Sequence, residues 1–181
     1  AAANQAACLA ALAPRAVLAL GTLGPDWRGD VLRQQLQSLG VDVGGMVAYE
    51  QLVTNAYIKP LRMGISDTIY EDPRIDFENR EALPAQAEAA LLAALEAAAP
   101  ALDLLLVCDG HSETMFEAMP VPPPVDTVGA GDAFAAAFGL AYAAGAELAL
   151  AVRFAATASA VTVKKIGCTG SASREEIQAI W

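Results

Sequence analysis

The run RAVLALGTLG, residues 15–24, is apolar without alternation, so a strand formed from it must be covered on both faces. A strand of that kind needs helices for neighbours, and the chain supplies them on either side. Before it, AAANQAACLAALA (1–13) is built from good helix formers and is stopped by Pro14. After it, GDVLRQQLQSL (29–39) places Val31, Leu32, Leu36 and Leu39 near helical spacing, and Gly40 terminates the pattern. The expectation is an α/β fold. From Val41 to Glu78 the character changes to short segments (MVAYE, VTNAYIK, SDTIY) between Gly, Asn and Asp breakers, which reads as a small β-sheet appendage. AQAEAALLAALEAAA (85–99) is a helix on propensity, with Leu91, Leu92 and Leu95 as its apolar face, and LDLLLVCD (102–109) reads as a second core strand. A short strand-like piece within 111–126 meets a proline cluster that keeps the chain extended. Ala133–Ala144 and Glu147–Val163 then read as two apolar, buried helices parted by Gly145.

Charge and composition narrow the function classes. The 181 residues are 55% hydrophobic, enough for one core, and carry a net charge of −10. An acidic chain is a poor partner for nucleic acid, whose affinity comes from Lys and Arg neutralising phosphates. No uninterrupted run of roughly 18 apolar residues is present, and the N-terminus lacks a basic leader, which gives the expectation of a cytoplasmic protein off the membrane. Cys8, Cys108 and Cys168 show no CxxC spacing and sit in apolar surroundings, as buried reduced thiols do. His111 stands alone, with no second ligand for a metal site, and is expected on the surface. GTLGPDWRG lacks GxGxxG spacing and is read as a strand-to-helix turn, with Trp27 as packing or a surface anchor rather than a stacking platform.

The chemistry concentrates in VDTVGAGDAFAAAF, residues 125–138. A stiffened strand, Thr127, then Gly129, Ala130 and Gly131, then a helix, presents backbone amides at a helix N-terminus, where the dipole favours an anion. Small residues let a phosphate approach. Asp132, in the first turn, is placed to take a proton from a hydroxyl attacking a phosphoryl group held by those amides. A glycine turn with an acidic residue that favours the helix dipole satisfies the same residues, and both readings stand on the loop alone.

DTVGAGDAF (126–134) resembles the C-terminal signature of the ribokinase-like, or PfkB, carbohydrate kinases. Asn4 with Ala6 and Leu9 is similar to that family's GGxxxN segment, GTLGPDWRGDVLRQQLQSLGVDVGGM (21–46) to its second strand and helix, and ASAVTVKKIGCTGS (158–171) to its closing helix and strand. The resemblance implies a three-layer α/β/α sandwich with a mostly parallel central sheet: a core of residues 1–40 and 79–181, and a β-lid at 41–78. It implies ATP-dependent transfer of a phosphoryl group to a sugar or sugar-phosphate hydroxyl, with Asp132 as base, Gly129, Ala130 and Gly131 as anion hole, and Mg2+ on the nucleotide. Asn4 would contact substrate hydroxyls. Asp126, with the backbone near Cys168–Ser171, would hold a monovalent cation such as K+, and the lid would mediate a homodimer.

Within the lid, KPLR (59–62) offers Lys59 and Arg62 for an anionic substrate group, and RIDFEN (74–79) is similar to the RxDFE run of heptose-phosphate kinases, whose sugar already bears a phosphate. A bidentate guanidinium suits that group, while solvated strand-edge charges are the plainer reading of the arginines. The pattern departs from the family in two places. The chain opens where paired glycines would precede Asn4. The step from VCDG (107–110) to HSETMF (111–116) lacks several βα units, the NxxE segment and the nucleotide loop, a block on the order of 100 residues at about 30 per repeat. The expectation is either joined pieces of a longer polypeptide or a truncated relative. A nucleoside kinase and a non-catalytic sugar- or nucleotide-binding regulator are the rival readings.

Overall fold

The computed structural model describes residues 2–62, 70–105 and 120–181. The expected alternation of helix and strand opens the chain: α1 (Ala2–Ala11), β1 (Leu18–Leu23), α2 (Trp27–Ser38) and β2 (Asp42–Ala48). Asp26 caps α2, its Oδ1 accepting from the Gly29 amide at 3.1 Å. Gly40 ends the helix at φ +79°, a left-handed conformation that costs glycine little. That turn brings Val41 back to donate to the Leu36 carbonyl at 3.1 Å, and Val41, Leu36 and Ala6 of α1 bury together.

Strands β1 and β2 pair in parallel, from Leu18 opposite Asp42 to Leu23 opposite Ala48. Residues 42–48 were expected with the lid, and here they belong to the core. A strand that follows a helix returning from β1 lies beside β1, and Gly45 permits it, because a Cβ there would collide with the Leu20 side chain. Ala19 faces α1 and α2 with Val17, while α3 (Ala85–Ala98) packs beside Gly21 and Thr22 through Ala87, Ala90 and Leu91. Alternation along β1 puts Ala19 and Thr22 on opposite faces, so helices cover the sheet from both sides. Leu92, expected on the apolar face of α3, is exposed; the buried stripe runs instead through Ala87, with Leu91 and Leu95 half-buried.

The small β-sheet appendage expected before α3 consists of two antiparallel pairs. Strands β3 (Ala56–Ile58) and β6 (Ile75–Phe77) match Tyr57 with Asp76, and β4 (Leu61–Arg62) and β5 (Tyr70–Glu71) match Arg62 with Tyr70. Its root is fixed to the turn after β1. The buried Thr54 hydroxyl accepts from the Gly24 amide at 3.1 Å and donates to the Gly24 carbonyl at 3.2 Å, and the Thr54 amide donates to Asp26 at 2.9 Å. Arg28 donates to the Thr54 carbonyl and stacks over the Phe77 ring, 4.2 Å from its centroid. The Thr54 and Gly29 amides, then the Arg28 charge, hold the Asp26 carboxyl down at about 2.

Helices α4 (Ala130–Ala143) and α5 (Leu148–Thr162) form the second half of the core with α1 and a last short helix, α6 (Arg174–Gln178). Ala137 on α4 buries with Ala155 and Ala158 on α5, Ala133 and Ala136 on α4 bury with Cys8 of α1, and Phe134, Phe138 and Tyr142 stack at successive turns along α4. The pair is not buried all round, since Tyr142, Leu148 and Leu150 are exposed.

One expected strand falls partly outside the described residues, and another does not form as read. Residues 102–105 carry none, and the rest of LDLLLVCD, with Cys108 and His111, lies outside the described residues. The closing strand expected within 158–171 is replaced by the last turns of α5 and a loop. Val163, Lys164 and Lys165 donate backward into the helix, and the Gly167 amide donates to the Asp126 side chain, which takes these four amides out of strand pairing. Among the described residues no helix is long and apolar enough to cross a membrane.

Candidate active site

The turn before α4 is held in shape from three directions. Gly129 caps the helix at φ +83°, and a Cβ on it would lie 2.8 Å from the Thr169 methyl, so both the backbone conformation and the close approach call for glycine. Ala130 donates back to Thr127 at 3.2 Å, and its carbonyl accepts from the Ser159 hydroxyl at 2.8 Å, which ties the first turn of α4 to α5. Helix geometry then gives the Gly131 amide no acceptor within the helix. A Cβ built on Gly131 meets nothing within 4 Å, so the space over this turn is open. Gly129, Ala130 and Gly131, read from the sequence as an anion hole, form a bent turn at a helix N-terminus with open space over Gly131.

Asp132 follows in the first turn of α4, and Asn4 of α1 donates from Nδ2 to its Oδ2 at 3.2 Å. Two residues 128 positions apart thus share one hydrogen bond, because Cys8 and Leu9 of α1 pack against Ala133 and Ala136. The Cys8 thiol is pushed up to about 11, by burial first and by the Asp132 charge second, which keeps it protonated beneath the carboxylate. Cys168 differs from the expectation of a buried thiol: it is exposed on the loop after α5.

Asp126 accepts from the Val128 amide at 3.0 Å and the Gly167 amide at 3.0 Å. Those two bonds, in that order, hold its carboxyl below the usual carboxylate range, with Lys59 adding a favourable charge. Asp126 and Lys59 border the same open cleft of about 1620 Å³, together with Asn4, Tyr57 and Arg74. Lys59 pairs with Glu71 at 3.2 Å, and Arg74 pairs with Asp76 at 2.7 Å while stacking over Tyr57. Arg62 is not among the residues lining this cleft; it pairs with Asp72 at 2.8 Å, stacks on Tyr70 and is largely exposed. Arg74, from RIDFEN, is thus the lid arginine that shares the cleft with Lys59. No group of three or more His, Cys, Asp or Glu is placed to hold a metal ion among the described residues.

Residues 103–175, which include the turn, Asp132 and the loop after α5, match the model of the pfkB family carbohydrate kinases. Over those residues the chain is similar to the pfkB family carbohydrate kinases. It is similar to the ribokinase of Bacillus subtilis (strain 168), 40% identical over 72 residues that cover 39% of this chain and 24% of that enzyme. The aligned stretch thus spans about a quarter of the curated relative. Among solved structures, ribokinase of Arabidopsis thaliana complexed with ribose and ATP superposes with a TM-score of 0.61 at 18% identity, covering 98% of this chain and 85% of that one. The nucleoside kinase of Methanocaldococcus jannaschii, an archaeal member of the ribokinase family, does so with a TM-score of 0.58 at 13% identity, covering 98% and 85%. The fold is ribokinase-like, and the expected parallel sheet under helical layers is its frame.

Proposed function

We propose that the chain carries the catalytic end of an ATP-dependent kinase that phosphorylates a hydroxyl of a sugar or sugar phosphate. The observation that supports it most is the Asn4–Asp132 hydrogen bond beside the open turn at Gly131, which sets a polar substrate contact, a carboxylate and free space within one helical turn. In this reading Asn4 orients the substrate, and the acceptor hydroxyl gives its proton to the Asp132 carboxylate as its oxygen attacks the γ-phosphorus. The bond from that phosphorus to the bridging oxygen breaks, and ADP leaves with the electron pair. The Gly129–Gly131 turn stabilises the charge that accumulates on the transferred phosphoryl oxygens.

Mg2+ would neutralise the nucleotide phosphates, and no step assigned to this chain's residues runs through a metal held by protein. Asp126, charged and half-buried beside the loop that carries Cys168, is the anchor for a monovalent cation such as K+. A cytoplasmic site of action is in keeping with ATP as donor. A homodimer through the lid accords with the exposed Tyr57, Leu61, Tyr70 and Ile75, all on its strands. Lys59 and Arg74 on one cleft favour an acceptor that already bears a phosphate, with Arg62 a more remote member of the same basic group.

The rival within the fold is a nucleoside kinase, which Tyr57 on the cleft favours as a surface for a base. The rival outside catalysis is a regulator that binds sugar or nucleotide without turnover. ADP release measured across sugars, sugar monophosphates and nucleosides separates the three. The account expects turnover with a sugar phosphate above its unphosphorylated sugar; preference for a nucleoside supports the first rival, and binding without ADP release supports the second.

A further inference from the structure

The loop between α5 and α6 touches the catalytic turn at two points. Gly167 donates to Asp126 at 3.0 Å, and Thr169 packs so closely on Gly129 that the latter has no room for a Cβ. This loop has no ladder of its own, so something else must hold it. Lys165 is the group that does: its Nζ donates to the Ser171 carbonyl at 2.5 Å and pairs with Glu176 at 2.8 Å. Its aliphatic stem lies on Gly170, where a Cβ would fall 3.0 Å from both Cβ and Cδ of Lys165. Glu176 is itself fixed, because its carboxylate accepts from the Ser173 amide at 2.8 Å in a capping box that starts α6. Gly170 also receives the Cys8 thiol on its carbonyl, so the loop is bound to α1 as well.

We propose that Lys165 is a positioning residue for the anion-hole turn: by clamping Ser171 and Glu176 it holds Thr169 against Gly129 and Gly167 against Asp126. The proposal rests on the kinase reading for its effect on turnover, but not for its effect on the loop. The Lys165–Glu176 pair is partly exposed, and pairs of that kind contribute little to global stability. Its consequence is therefore local geometry, and displacement of a catalytic donor by a fraction of an ångström is felt in kcat more than in ground-state binding.

The test compares the parent protein with Lys165→Met, Lys165→Arg and Glu176→Gln, following hydrogen exchange by mass spectrometry alongside steady-state kinetics with ATP and the best acceptor. In Lys165→Met, exchange is expected to rise in 163–173 and 126–132 with the rest of α4 and α5 unchanged, and kcat to fall by about 10- to 100-fold while acceptor KM stays near the parent's. Lys165→Arg keeps the charge and donors and is expected to recover most of both. Glu176→Gln keeps the capping box and is expected to shift exchange over the same residues by less. Parental exchange in that loop overturns the proposal, and so does a rise spread evenly over the core. If Lys165→Met does not fold, Glu176→Gln decides alone by the same criterion. A parent without turnover on any acceptor defeats the kinase reading, and the exchange pattern still decides whether Lys165 holds the loop.

Discussion

Gly129 and Gly131 stand two residues apart in one motif, yet the structure assigns them opposite responses to the same added methyl group. Alanine at position 129 must adopt φ near +83°, a left-handed conformation that costs an L-residue about 1–2 kcal/mol. Its Cβ must also sit 2.8 Å from the Thr169 methyl, and forced overpacking costs roughly 1–3 kcal/mol, partly relieved if Thr169 moves. Together Gly129→Ala loses about 2–5 kcal/mol, which in a domain of this size lowers the melting temperature by roughly 5–15 °C. Gly131 has no positive φ, and its added Cβ meets nothing, so Gly131→Ala gains up to about 1 kcal/mol from helix propensity. The methyl nevertheless occupies the space that a phosphoryl oxygen needs beside the amide, and loss of one such donor lowers kcat by about 100- to 1000-fold. Calorimetric melting and an ADP-release assay on both variants decide the matter. The reasoning is refuted if Gly129→Ala melts with the parent, or if Gly131→Ala is as unstable as Gly129→Ala.

Three further outcomes follow from other parts of the molecule. Asn4→Ala removes the side-chain donor to Asp132 and is expected to cost about 1–2 kcal/mol in stability while raising acceptor KM, read by melting and by acceptor titration. Thr54→Val keeps the shape but leaves the Gly24 amide and carbonyl without the hydroxyl, and burial of either group unpaired costs about 1–3 kcal/mol, seen as a lower denaturant midpoint. The Asp26 carboxyl is held at about 2 in the folded chain, below the unfolded value of about 3.9, so its contribution is complete above about pH 4 and is lost as pH falls through 2. Melting curves of the parent and Asp26→Asn are therefore expected to lie apart at pH 5 and to draw together toward pH 2; a constant gap contradicts this.

Much of the helical framework is legible in the sequence, because each helix carries a local cause. Gly40 marks the end of α2, Pro14 follows α1, and alanine-rich runs set α3, α4 and α5, whereas the Asp26 cap that starts α2 at Trp27 was not read. Strand β2 was harder to assign. Seven residues of mixed character after Gly40 suit either a lid strand or a core strand, and only the pairing with β1 decides, which is a property of two segments rather than one. The closing strand is absent for a similar reason, since the amides of 163–165 turn back into α5 and that of Gly167 donates to Asp126. In the site, the Gly129–Asp132 turn could be read from residue types, whereas Asn4 was visible only through resemblance. That Arg74 rather than Arg62 shares the cleft with Lys59 depends on hairpin register. Lys165 gave no signal, because its contacts with Ser171 and Glu176 run across a loop rather than along one helix or strand.

The central claim is that Asp132 serves as base for an attack on a phosphoryl group held at the start of α4. The most direct test is Asp132→Asn, with turnover measured by ADP release and acceptor binding measured by calorimetry on the same preparation. The amide can still accept from Asn4, so the fold and the acceptor affinity are expected to hold, while loss of the general base lowers kcat by about 100- to 10,000-fold. Turnover at the parental rate in Asp132→Asn would contradict the account, whatever the acceptor.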